Sequence, residues 1–393
     1  MYLLDKGASP NIKAGRWGTP FMTAIKNGDD EMFHELLSRG AEINITHGYW
    51  GTPLQTAIQW HYYHLAHELL DRGADPKAPG THATALTVAS GYGKAGQIDL
   101  FKRLMDFDFD LDTFDVERRE DYLFSGAANR LYSNALQYAA RAGNETTAKL
   151  LLDNGAHVNA LGGTYGTPLQ FAAKEGQEKM VKLLLERGAD VNLAGGEMCT
   201  ALQAAASEGQ LTIVNLLLEN GADVNIAGGK YGSALQAACS VSYRIAKELL
   251  AHGANVNTHC GMYGNPLQAA ASRGAVDIVK ALIESGADVQ LEGGQYGYAL
   301  QAAAYSDQFW KNHLAVMQIL LENGANVNAE GGEFGTELQA AAYHHRPYVE
   351  LLLRHGADPH IKGGKYGSAV GAAKEKGRNR LVELFQGRSC GDA

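Results

Sequence analysis

The chain has 393 residues, with 34 Lys plus Arg against 43 Asp plus Glu, and its formal net charge of −9 argues against general affinity for nucleic acid or anionic membrane. An apolar fraction of 45% excludes wholesale disorder. Glycine is the outlier at 47 residues, about 12% against a usual ~7%, so the fold needs tight turns many times over. Four cysteines (Cys199, Cys239, Cys260, Cys390) are too few and scattered for a disulfide framework, and none has zinc-ligand spacing. The N-terminus reaches Asp5 and Lys6 after three apolar residues, unlike a signal peptide, and no window approaches the ~18 apolar residues of a membrane span. An intracellular, soluble protein is expected, in the cytoplasm first and the nucleus as the alternative.

Taken from the N-terminus, residues 1–8 read as the tail of a helix whose partner is missing, as in a chain cut from a longer protein or one whose N-terminal face meets another surface. One phrase then recurs. Gly51–Gln55 and Gly166–Gln170 read GTPLQ, Gly232–Gln236 reads GSALQ and Gly264–Gln268 reads GNPLQ. Its apolar anchor falls at Phe21, Leu54, Leu86, Leu136, Leu169, Leu202, Leu235, Leu267, Leu300, Leu338 and Val370, at intervals of 32 or 33 residues broken once by 50 and once by 38. A second phrase keeps step with it, LLLERGADVN ending at Asn192 and LLLENGADVN ending at Asn225. A repeat of this fidelity overrules the domain count that length alone suggests.

Each unit predicts the same elements. Thr or Ser before the anchor caps a short Ala-rich helix, with Pro at its first position in TPL. A turn leads to an amphipathic helix such as residues 211–219, which stops at Gly221, where a left-handed backbone suits glycine. Asp-Val-Asn and Gly-Gly then make a hairpin-like connection to the next unit. The interruptions are a long finger at 113–132 and a short insertion at 307–311, in a turn between two helices. The last unit, 366–393, carries the polar outer face of a cap in Lys374, Glu375, Lys376, Arg378 and Arg380.

These motifs resemble the ankyrin-repeat family, whose pattern is T-P-L-H-x-A at a period of ~33 residues. The resemblance spans residues 1–393 as one all-α ankyrin-repeat solenoid of about eleven helix pairs with short hairpin-like fingers. Gln stands where the family has His, at Gln55, Gln170, Gln203, Gln236, Gln268, Gln301 and Gln339. An aromatic also precedes most caps, and both features are similar to a variety common in long fungal ankyrin proteins. The Gln amide can bridge neighbouring turns, so the fold is expected to survive the change. The resemblance implies a monomeric, non-enzymatic scaffold that binds a protein partner through its concave face, fingers and insertions, with no cofactor, metal, nucleic acid or membrane.

The aromatics before the caps are Trp17, Trp50, Tyr165, Tyr231, Tyr263, Tyr296, Phe334 and Tyr366. They form either a structural ladder or a row of contacts. Specificity should come from the units that break the repeat, which selects Trp17, Trp50, Trp60, Arg118, Arg119, Tyr122, Tyr132, Tyr305, Phe309, Trp310 and Tyr343 as partner-binding candidates. The competing expectation is a small-molecule or catalytic pocket on the concave face, closed by the 113–132 insertion, with His61, His82, Tyr132 and His344 as its titratable groups. That reading requires a closed concavity of about 300–1,000 Å³.

Other matches are weaker. Gly91–Gly96 fits GxGxxG but joins two helices, so it is a turn rather than a dinucleotide fingerprint. Asp106, Asp108, Asp110, Asp112 and Glu117 mimic a calcium loop with Leu111 where glycine belongs, and align with the end of a repeat. His64 and Glu68 share a helix face, too few ligands for zinc. No nucleophile motif is present, and no catalytic residue is assigned.

Overall fold

The computed structural model describes residues 2–13, 18–48, 51–78, 84–91, 97–113, 134–163, 165–305, 310–344 and 346–386. Among them a short opening helix, Tyr2–Asp5, is followed by eleven helix pairs, from Pro20–Asn27 with Asp30–Ser38 to Ala369–Glu375 with Asn379–Phe385. The extended pairing among the described residues consists of isolated antiparallel bridges across the fingers, such as Gly228 with Gly232 and Gly293 with Gly297. The helix pairs form two compact units, Met1–Glu197 with five pairs and Met198–Ala393 with six.

The first helix of each pair begins where the sequence places its cap. Thr52, Asn134 and Thr167 accept the backbone N–H of Gln55, Gln137 and Gln170, and each glutamine returns a bond to the backbone of its cap. Pro53, Pro168 and Pro266 occupy first-turn positions, where a missing N–H costs nothing. Alanine lets these helices bury nearly all round. In Ala201–Ser207 every residue is buried, and Ala204, Ala205 and Ala206 have no exposed surface. The second helices bury one face only, as Ile213, Val214 and Leu217 do in Leu211–Glu219.

The insertion at 307–311 alters one pair. Its second helix, Trp310–Glu322, has 13 residues where Leu211–Glu219 has nine, so Trp310 and Lys311 open a helix instead of sitting in a turn. The added turn lies ahead of His313, which holds the place that Gln177 holds four pairs earlier in the chain. His313 is buried, and its Nε2 lies 3.2 Å from the Ser272 carbonyl, as Gln177 Nε2 donates to the Arg141 carbonyl.

Candidate functional site

Two side-chain ladders hold the fingers to the helix pairs. The first is the glutamine after the anchor. Its Nε2 donates across to a carbonyl of the next finger, from Gln55 to Ala78 at 3.2 Å, from Gln137 to Gly166 at 2.6 Å and from Gln170 to Leu193 at 3.0 Å. In the second unit Gln203, Gln236, Gln268, Gln301 and Gln339 do the same. The amide thus replaces the family's histidine as a bridge, and Gln137 belongs to the set although its phrase reads NALQ.

The second ladder was not anticipated. The asparagine that ends Asp-Val-Asn and its variants Glu-Ile-Asn and Asn-Val-Asn accepts the backbone N–H of the next finger and donates to a glycine carbonyl there. Asn44 bonds Asp75 N–H and the Gly73 carbonyl; Asn257 bonds Asp288 N–H and the Gly286 carbonyl. The signal was the recurrence of Asn in one column of the repeat. Asp112 occupies that column and accepts His157 N–H at 3.0 Å. Its carboxylate therefore serves the ladder.

Glycine lets neighbouring fingers touch backbone to backbone. A Cβ on Gly264 would lie 2.6 Å from the Gly293 carbonyl carbon, and one on Gly232 would lie 2.6 Å from the Cys260 carbonyl oxygen. Both glycines also have positive φ. Cys199 takes the equivalent place with φ 64, a conformation unusual for a residue with a side chain.

On this frame the second unit displays a continuous run of rings. Tyr296 meets Tyr305 at 5.2 Å between centroids, Tyr305 meets Phe334 at 5.3 Å, and Phe334 meets Tyr343 at 5.6 Å. Tyr366 then stacks on Tyr343 at 4.9 Å and 15°. Finger rings alternate with rings at the ends of the first helices, so the aromatics form a ladder that also keeps an open edge. Tyr305 is 38% exposed. Lys376 Nζ lies 4.2 Å over the Tyr343 ring. The Tyr366 hydroxyl and then Lys376 hydrogen-bond to the Tyr343 phenol and hold it below the ordinary tyrosine range. Burial pushes Tyr296 the other way.

The remaining candidates scatter. Trp60 lies half exposed in the first unit with Lys26 Nζ 5.5 Å from its ring centre. Trp17, Trp50, Arg118, Arg119, Tyr122, Tyr132 and Phe309 lie outside the described residues, as does most of the 113–132 finger. Of the alternative pocket's groups, His82 and Tyr132 also lie outside them. His61 has φ 66, and its Nδ1 is 3.1 Å from the Tyr63 hydroxyl. His344 closes the helix Glu337–His344 in the other unit. A cavity of about 310 Å³ does exist in the first unit, but it is lined by Lys77, Thr84, Thr87, Phe109 and neighbours, and His61 is not among them.

The histidine-rich helix pairs with its neighbour. His64 Nε2 is 3.1 Å from Asp30, and Glu68 lies 3.1 Å from His34 and 2.9 Å from Arg72. Among the described residues no group of three or more His, Cys, Asp or Glu could hold a metal. No helix among them is long and apolar enough to cross a membrane.

Comparison with curated proteins returns no match. Among solved structures the chain is similar to the human ASB11 ankyrin repeat domain, at 29% identity and a TM-score of 0.48, over 58% of this chain and 100% of that one. The family model described as ankyrin repeats in three copies matches residues 1–80, 21–115, 94–195, 163–228, 202–293 and 234–331, and the single ankyrin repeat model matches 336–364. These matches take in well over half of the sequence, and the chain belongs to the ankyrin-repeat family.

Proposed function

We propose that this chain is a binding scaffold whose protein partner seats on the finger and first-helix edge of the second unit, along Tyr296, Tyr305, Phe334, Tyr343 and Tyr366. Ankyrin repeats are generally protein–protein interaction modules, and their stacked units make extended surfaces. The observation that carries the reading is the continuous ring ladder, exposed at Tyr305 and partly open at Tyr296, Tyr343 and Tyr366 around the buried Phe334. Tyrosine offers large contact area at low entropic cost, and its hydroxyl accepts a polar rim. Pre-stacking lowers that cost further, because the rings are already ordered before a partner arrives. An intracellular site of action and a monomeric state complete the proposal.

The test is affinity capture from the source cell's lysate with the wild-type chain and a Tyr305→Ala/Tyr343→Ala double variant. Val241→Ala, an exposed apolar residue away from the ladder, serves as control. A protein retained by wild type and by the control but lost by the double variant, at unchanged helicity, supports the reading. Equal retention by all three removes the ladder from the interface.

A further inference from the structure

The cavity in the first unit lies where the repeat's own bridges fail. At every described anchor between the first and last pairs, the next residue is glutamine, with one exception, Thr87. Its short side chain bonds the Thr84 hydroxyl at 3.1 Å and cannot cross to the next finger. The second ladder is broken at the same place, because Lys77 stands in the asparagine column and leans toward Phe109, 5.8 Å from the ring centre. By register, the acceptor that a glutamine here would reach is the carbonyl of Thr113, the counterpart of Ala78 and Leu193. Thr84, Thr87, Lys77 and Thr113 all line the cavity, with Leu86 and Phe109 among its apolar walls.

We propose that this cavity binds a small molecule bearing a primary carboxamide on a compact apolar body, which takes the place of the missing glutamine side chain. The volume, about 310 Å³, is at the small end of ligand sites. The recognition chemistry is that of the other repeats. The amide oxygen takes the place of Gln Oε1, which elsewhere accepts the backbone N–H of the cap residue, as from Thr52 and Thr167. The amide nitrogen takes the place of Nε2 and donates toward the Thr113 carbonyl. The hydroxyls of Thr84 and Thr87 share one hydrogen bond, which leaves a second donor for the ligand. Leu86 and Phe109 cover its body. This site is separate from the ring ladder of the second unit and does not depend on it.

Benzamide is the probe, with benzoate as the matched anion that lacks the donor. In amide NMR spectra of the full chain, saturable benzamide shifts centred on Thr84, Thr87 and Thr113 are expected, with benzoate at least tenfold weaker. Thr87→Gln restores the repeat's own bridge and should abolish benzamide binding while leaving the melting temperature equal or higher. Saturable binding that persists in Thr87→Gln overturns the proposal. So does the absence of saturable shifts in wild type, or shifts spread away from those three residues. The wild-type map decides the matter alone if the variant does not fold.

Discussion

Glu337 is the residue least suited to its place. It holds the first position of its helix, where the other units carry Pro53, Pro168, Pro266 or an alanine such as Ala201. It has no exposed surface, and neither carboxylate oxygen has a hydrogen-bond partner. Two effects compete. A helix N-terminus favours a carboxylate by about 0.3–1 kcal/mol, whereas a buried unsatisfied acceptor costs about 1–3 kcal/mol and more when charged. Burial wins, and it drives the Glu337 carboxyl well above its ordinary range. A folded-state pKa above the unfolded one means the folded chain binds the proton more tightly. Stability from this group is therefore complete below the ordinary glutamate range and is lost as pH rises through the raised folded value. Glu337→Ala should stabilise the protein by about 1–3 kcal/mol at neutral pH. It should also flatten the pH dependence of the urea midpoint between mildly acidic and neutral pH. An unchanged slope would mean that the carboxyl finds water or a partner in solution.

At the scale of the element, the finger and not the helix is the part whose construction the pattern left open. The caps at Thr52 and Thr167, the anchors and the stopping glycines followed from residue type and spacing, because each satisfies a local backbone requirement. The amide ladder was legible for the same reason, since a residue that replaces histidine in most units must do histidine's job. What a single unit cannot reveal is a contact that exists only between two of them. The Asn rungs and the packing of Tyr305 between Tyr296 and Phe334 are of that kind. Gln268 tests the first ladder. Its Nε2 serves the carbonyls of Gly297 and Leu291, so Gln268→Leu should cost about 2–3 kcal/mol, read as a lower denaturation midpoint. Asp112 tests the second in the opposite direction. Its carboxylate accepts His157 N–H but has no hydrogen to give, so Asp112→Asn adds the donor that other rungs possess. A gain of about 0.5–1.5 kcal/mol is expected in the same assay, and a loss would show that the charge itself stabilises this finger.

Across the whole molecule, stability is the sum of units that cannot stand alone. The last pair shows the consequence most directly. Ala369–Glu375 buries Ala369, Ala372 and Ala373, while the second helix of the pair keeps Leu384 at 47% exposure. Ending the chain after Gly364 uncovers the alanine face of Glu337–His344, where Ala341 and Ala342 are now fully buried. Circular dichroism should then lose more helix than the deleted residues contain, because the penultimate pair frays too. A loss confined to the deleted helices would show that each pair is stable without a neighbour on its C-terminal side. The repeat and its caps could be anticipated at this scale because they are periodic. The 13-residue helix Trp310–Glu322 could not, since the period of the repeat does not specify which conformation an inserted segment takes.

The close approach of glycines such as Gly264 to the next finger turns the second unit into a ruler. Where backbone meets backbone, spacing does not depend on which side chains the helices carry, so each graduation is set by the peptide unit itself. A whole unit of 33 residues could be copied in or cut out and every remaining mark would keep its interval. Such a chain can change length over evolutionary time more readily than it can change scale, and a partner that reads several marks at once must share its interval.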